Sequence, residues 1–130
     1  MAFTSAILLF VVFAIAALAI CTATTKISFD GRSFLVNGNR TLLLSGSIHY
    51  PRLPQSEWPL VFALAKEQGI NIIQTYVFWD IHEPAPGQYY FPNDGSSDNI
   101  VKFIQDAKDA GLLINLRIGP YVCAEWNYGM

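Results

Sequence analysis

Cysteine and clustered basic residues are scarce in this sequence, and their scarcity argues against several classes of protein. The 130 residues hold two cysteines, Cys21 and Cys123, which is too few for a small disulfide-rich module. Lysine and arginine number 8 against 10 aspartates and glutamates, and without a basic patch we expect no nucleic-acid partner. The two histidines, His49 and His82, lack the spacing of metal ligands, so we expect neither a metal nor another cofactor.

Residues 1–23 have the pattern of a secretory signal peptide. The apolar run from Ile7 to Ile20 is too short to span a bilayer comfortably, and small side chains at Cys21 and Ala23 predict cleavage after Ala23. No lysine or arginine precedes the run, so only the amino terminus is positive there, and an uncleaved N-terminal anchor is the alternative. After cleavage we expect no membrane-spanning segment.

The predicted secretory route bears on two further residues, Asn39 and Cys123. Asn39, in the triplet Asn-Arg-Thr, begins an N-glycosylation sequon that can be used only on that route. Cys123 becomes the only thiol of the mature segment, and we expect it to be packed or to pair with a cysteine outside these residues. We expect a protein secreted to the extracellular space, such as a cell wall or apoplast, or sent to a vacuole or lysosome-like compartment.

Residues 26–45 predict a small antiparallel β-hairpin cap, because short apolar runs alternate there with turn residues. Asp30-Gly31 separates the runs at 27–29 and 34–36, and residues 37–39 form a second turn before a third run. The cap would lead directly into the main fold.

Three near-continuous apolar runs follow the cap and predict strands. They cover residues 42–48, 71–79 and 112–118. Continuous apolar runs are typical of strands that are buried on both faces, as the strands of a parallel sheet are. We therefore expect the first two strands to be buried on both faces, and the third run to form a further strand of the same sheet.

Two helical patterns lie between the strands. The first runs from a cap at Ser56 to a stop at Gly69, and the second from a cap at Asp98 or Ser97 to a stop at Gly111. This alternation implies right-handed crossovers and an α/β fold with a parallel sheet. A doubly wound sheet and a (β/α)8 barrel both fit, but the missing Gly-rich phosphate turn favours the barrel. A barrel needs about 200 residues or more, so we expect its first three βα units.

Polar and aromatic side chains follow the carboxyl end of each strand, where α/β proteins bind their ligands. Carboxylates and amides hydrogen-bond sugar hydroxyls, and aromatic faces cover the C–H patches of a sugar, so this composition indicates carbohydrate recognition. Glu83 and Glu125 could be the two carboxylates of a retaining glycosidase, which lie about 5–5.5 Å apart. The three groups are His49, Tyr50 and Arg52; Tyr76, Trp79, Asp80, His82 and Glu83; and Tyr121, Cys123, Glu125, Trp126 and Asn127.

Structural roles are the alternative for most of these residues. Glu83 could cap a turn, and both histidines could be hydrogen-bonded structural residues. Arg117 lies inside a strand, so we expect it to meet a carboxylate, either as a structural ion pair or beside a substrate. Trp79 and Trp126 could belong to the core or to the wall of a site, and Asn127 could form a turn.

Four motifs resemble family 35 of the glycoside hydrolases, the β-galactosidases of plants, animals and many microbes. The likeness covers residues 26–129, and the order and spacing of the motifs make it specific. They are LLSGSIHYPR at 43–52, QTYVFW at 74–79, HEP at 82–84 with PGQY at 86–89, and LRIGPYVCAEWNYG at 116–129, the last in its plant-like form.

The resemblance implies a (β/α)8 catalytic barrel that removes terminal non-reducing β-D-galactose with retention. The implied substrate is a galactoside or a galactose-bearing polysaccharide or glycoconjugate. An acid/base glutamate would follow the fourth strand and a nucleophile the seventh, so residues 24–130 would be the N-terminal part of the catalytic domain. Tyr76, Cys123, Ala124 and Glu125 would bind the galactose, with Glu125 a ligand for its hydroxyls rather than the catalytic acid.

Two stretches depart from the family pattern. Met130 stands where the family has the second glycine of Gly-Gly-Phe-Pro, and residues 93–99 replace its Gly-Arg-x-Asp loop. We expect an incomplete gene model or a truncated product that is inactive and poorly folded alone. A sugar-binding remnant of the same barrel is the alternative.

Overall fold

The computed structural model describes residues 24–126, which divide into two units between Leu42 and Leu43. The predicted signal peptide at residues 1–23 and the predictions for residues 127–130 lie outside the described residues. Within the described part of the chain, no helix combines the length and the apolar character needed to cross a membrane.

The first unit is a small antiparallel sheet, as predicted. Asp30 closes its first turn, because Oδ1 accepts hydrogen bonds from the backbone N–H groups of Arg32 and Ser33, both at 3.0 Å. The N–H of Arg32, followed by the ion pair to Arg40, holds the pKa of Asp30 below its usual value. The strands, in sheet order, are β1 (Ile27–Phe29), β2 (Phe34–Val36) and β3 (Asn39–Arg40).

The second unit contains a parallel three-stranded sheet with β5 in its centre. β5 is largely buried, as predicted, because it has a neighbouring strand on each side. β4 is shorter than its apolar run and only partly buried, so the prediction of burial on both faces is wrong for this edge strand. β6, the other edge strand, is also only partly buried. In sheet order the strands are β4 (Ser45–Ser47), β5 (Ile72–Tyr76) and β6 (Leu113–Arg117).

Helices connect these strands and end as predicted. Glycines with positive φ follow the two long helices, with 84° at Gly69 and 73° at Gly111. The start of the first helix differs from the prediction, because Gln55–Glu57 forms a 3-10 turn and Ser56 lies inside it rather than capping the helix. The α-helices of the described residues are α1 (Trp58–Glu67), α2 (Trp79–His82) and α3 (Ile100–Asp109).

Asn99 caps α3, and neither of the predicted caps, Asp98 or Ser97, does so. Its Oδ1 accepts a hydrogen bond from the N–H of Lys102 at 2.9 Å. Its amide nitrogen donates to the carbonyl of Asp94 at 3.3 Å. Asn99 is buried, and its amide can donate and accept at once, whereas an ionised carboxylate at this position could only accept.

α1 and α3 pack against each other on one face of the sheet, around Phe103. The Phe103 ring meets Trp58 and Phe62 at centroid separations of 5.2 and 5.0 Å, and all three side chains are fully buried. Such aromatic pairs each contribute about 0.5–1.5 kcal/mol beyond their buried area. Three consecutive parallel strands joined by helices show an α/β fold, as predicted.

Candidate functional site

The sheet register brings Tyr76 beside Arg117, where β5 and β6 end. The Arg117 guanidinium donates a hydrogen bond to the Tyr76 hydroxyl, and its Cζ lies 4.2 Å from the centre of the Tyr76 ring. The prediction that Arg117 meets a carboxylate is wrong within residues 24–126, where none lies within ion-pairing distance of it. Arg117 is exposed, so its charge needs no buried partner.

Arg52 joins the end of β4 to the segment that follows β6. It ends the 3-10 turn Tyr50–Arg52, and its Nη2 donates to the carbonyl oxygens of Ala124 and Glu125, the second at 3.2 Å. Its Cζ lies 5.7 Å from the centre of the Trp126 ring, within the range of a cation–π contact. The first and third groups of predicted site residues therefore lie together.

Trp126 is fixed on two sides. Its Nε1 donates to Oδ2 of Asp80 at 2.7 Å, and its ring meets the Phe78 ring at 4.7 Å between centroids. Phe78 is fully buried, and a phenylalanine inside an apolar run gives no signal of such a supporting role. Trp79 is 42% exposed, so it does not belong to the core. Its Nε1 donates to the carbonyl of Ile118 at 2.6 Å, which anchors the chain after β6.

Glu125 presents an exposed carboxylate from a left-handed backbone position with a φ of 51°. Within residues 24–126 this carboxylate has no hydrogen-bonding or ion-pairing partner, so it is available to a ligand.

Cys123 is exposed too, and the prediction of a packed thiol is wrong because Val122 takes the buried position. A hydrogen bond with Cys123 raises the pKa of the Tyr121 hydroxyl.

Tyr50 and His82 form a buried structural pair, as one of the two interpretations of His82 predicted. Nδ1 of His82 lies 2.8 Å from the carbonyl oxygen of Tyr90, and Nε2 lies 2.7 Å from the Tyr50 hydroxyl. A carbonyl only accepts, so Nδ1 carries the proton and Nε2 accepts the O–H of Tyr50. The Tyr50 oxygen also accepts the N–H of Phe78 at 3.1 Å, and burial raises the pKa of Tyr50.

Glu83 and His49 also make contacts within the protein. Oε1 of Glu83 accepts the N–H of Gly87 at 2.8 Å, which agrees with the predicted turn-capping role. Nδ1 of His49 lies 3.5 Å from the hydroxyl of Thr75. Burial, and then the charge of Arg52, lowers the pKa of His49, which keeps its ring neutral at neutral pH. In the described part of the chain, no three His, Cys, Asp or Glu side chains gather as a metal site requires.

Known proteins similar to this chain are β-galactosidases. Over 105 residues it is 55% identical to the probable β-galactosidase 2 of Dictyostelium discoideum, a match that covers 80% of this chain and 13% of that protein. Over 123 residues it is 47% identical to β-galactosidase 6 of Oryza sativa subsp. japonica, a match that covers 95% of this chain and 14% of that protein. The chain therefore spans about one seventh of the length of these relatives.

A solved structure shows the fold of the chain, and a family model shows its family. The crystal structure of an endogalactoceramidase matches with a TM-score of 0.51 and 19% identity over 70% of this chain and 22% of that one, which shows an α/β fold. The model of the glycosyl hydrolases family 35 matches residues 33–130. The chain belongs to glycosyl hydrolase family 35.

Proposed function

We propose that residues 24–130 form the N-terminal part of the (β/α)8 catalytic domain of a β-galactosidase, in which they build one wall of the galactose pocket. The observation that carries this proposal is the exposed carboxylate of Glu125, which has no partner within residues 24–126 and follows the third parallel strand. The relatives named β-galactosidase support the activity. The substrate would be a galactoside or a galactose-bearing polysaccharide or glycoconjugate.

Each proposed ligand has a chemical role that suits a sugar. The carboxylate of Glu125 can accept hydrogen bonds from two neighbouring hydroxyls of galactose, and such charge-assisted bonds are stronger than neutral ones. The Tyr76 oxygen accepts from Arg117, so its own O–H is left to donate to a sugar oxygen. Cys123 and Ala124 belong to the same segment as Glu125.

The cleavage step needs two carboxylates that flank the glycosidic bond, an acid/base and a nucleophile. Glu83 is held in a turn by Gly87, and the family resemblance gives Glu125 to sugar binding. We therefore assign neither glutamate to the catalytic pair, and we expect residues 24–130 alone to bind sugar at most.

We also propose that the protein follows the secretory route, led by residues 1–23, to the extracellular space or to a vacuole or lysosome-like compartment. Asn39 is exposed in β3, where an oligosaccharyltransferase can reach it, and the Thr41 hydroxyl donates to the Asn39 carbonyl at 3.0 Å. Expression in a eukaryotic cell should give a glycoprotein that loses mass on treatment with an N-glycosidase. An Asn39→Gln variant should show no such shift, and an unglycosylated wild-type chain would contradict the proposed site.

A chimera tests the activity. The segment of rice β-galactosidase 6 that this chain matches is replaced by residues 24–130, and the rest of the rice protein is kept. We expect the chimera to release galactose from a chromogenic β-galactoside but not glucose from the matching β-glucoside. A folded chimera that is inactive where the rice protein is active would contradict the proposal.

A further inference from the structure

We propose that Arg52 is a positioning residue for galactose recognition: its guanidinium holds the main chain at Ala124 and Glu125 and so fixes the direction of the Glu125 carboxylate. This inference rests on the proposed function, in which Glu125 binds the sugar. The hydrogen bonds that Arg52 makes are with the main chain, because its Nη2 donates to both carbonyl oxygens.

The contact reaches across the fold. Arg52 follows β4, whereas Ala124 and Glu125 follow β6, more than 70 positions later in the chain. The segment they belong to has no helix or strand of its own within the described residues, so its main chain depends on such contacts. Glu125 adopts a φ of 51°, a conformation that a residue with a side chain keeps only when its surroundings impose it.

The Arg52 guanidinium also contacts Trp126, the last described residue of this segment. Its Cζ lies 5.7 Å from the centre of the Trp126 ring, which Asp80 and Phe78 hold from the other sides. Glu125 therefore lies between a carbonyl bound by Arg52 and a tryptophan that cannot shift freely. Within residues 24–126 Arg52 forms no ion pair with a carboxylate, so its contacts are with this segment rather than with a charged partner.

Lysine cannot reproduce the arrangement. A planar guanidinium offers several N–H donors in one plane and a face for an aromatic ring, whereas an ammonium is a compact, strongly hydrated charge. A role that required only positive charge would be preserved by Arg52→Lys. The positioning role requires the planar group, so Arg52→Lys should recover only part of the loss caused by Arg52→Gln.

A double-mutant cycle in the rice chimera tests the inference. We expect Arg52→Gln to raise the inhibition constant for galactose about tenfold when Glu125 is present, and by no more than about twofold in a Glu125→Gln background. The matched control, Arg40→Gln in the first unit, should leave the constant unchanged in both backgrounds. If Arg52→Gln fails to fold, the same cycle is run with Arg52→Lys.

The outcomes separate this inference from the proposed function. Equal losses in both backgrounds would show a general structural role for Arg52 and overturn the inference, as would no loss in either. An effect of Glu125→Gln without any effect of Arg52→Gln overturns the inference alone. No galactose inhibition and no hydrolysis in a folded parent chimera would instead overturn the proposed function.

Discussion

The Arg117 guanidinium donates a hydrogen bond to the Tyr76 hydroxyl and lies over the Tyr76 ring, with Cζ 4.2 Å from its centre. Arginine has no acceptor, so the phenol oxygen acts as acceptor and its O–H points elsewhere. Tyr76 itself is 3% exposed, which leaves little freedom to its ring. Arg117 therefore orients a buried phenol, and in the proposed pocket the remaining donor of this phenol would meet the sugar.

Removal of that donor gives the first prediction. In the rice chimera, Tyr76→Phe should weaken galactose binding about five- to tenfold, the usual worth of one neutral hydrogen bond. Tyr89→Phe is the matched control, because Tyr89 is 72% exposed and has no place in the proposed pocket. Inhibition constants for galactose measure both. An unchanged constant in Tyr76→Phe would remove Tyr76 from the sugar ligands.

The buried pair of Tyr50 and His82 gives a prediction about stability. Tyr50→Phe leaves Nε2 of His82 and the N–H of Phe78 without their partner, which should cost about 1–3 kcal/mol. The melting temperature of the chimera should fall by several degrees, with Tyr89→Phe again as the control. A melting temperature equal to that of the parent would show that water replaces the phenol at no cost.

The 130 residues alone should fold poorly. Ile118 is 70% exposed at the end of the edge strand β6, and an apolar groove of about 460 Å³ lies beside it, lined in part by Leu116, Ile104 and Phe91. Apolar surface of this kind needs a covering element. We expect residues 24–130 to bind a hydrophobic dye and to melt over a broad range, whereas the chimera melts sharply. A sharp cooperative melt of the isolated residues would contradict this.

Local signals in the sequence predicted the elements that depend on local chemistry. Gly69 and Gly111 end their helices because each adopts a positive φ, and Asp30 closes its turn with its own carboxylate. The apolar run around β5 correctly indicated a buried strand. Each of these features is determined by residues that are close to one another along the chain.

Contacts between distant residues could not be predicted in the same way. The edge positions of β4 and β6 depend on which strands surround them, and Asn99 caps α3 because its amide satisfies two groups at once. Arg52 gave no sign of its carbonyl partners, which lie on a segment far along the chain. Cys123 is exposed because its neighbour Val122 takes the buried position, and no sequence motif predicts which of the two is buried.

The most direct test of the galactose pocket compares Glu125→Gln with Glu83→Gln in the chimera, with galactose inhibition as the measurement. Glu125→Gln should raise the inhibition constant roughly 10- to 100-fold, because a free carboxylate that binds hydroxyls loses its charge. Glu83→Gln should change it by less than about twofold, since a glutamine oxygen still accepts the Gly87 N–H. Equal effects of the two substitutions, or a larger effect at Glu83, would contradict the assignment of Glu125 as the galactose ligand.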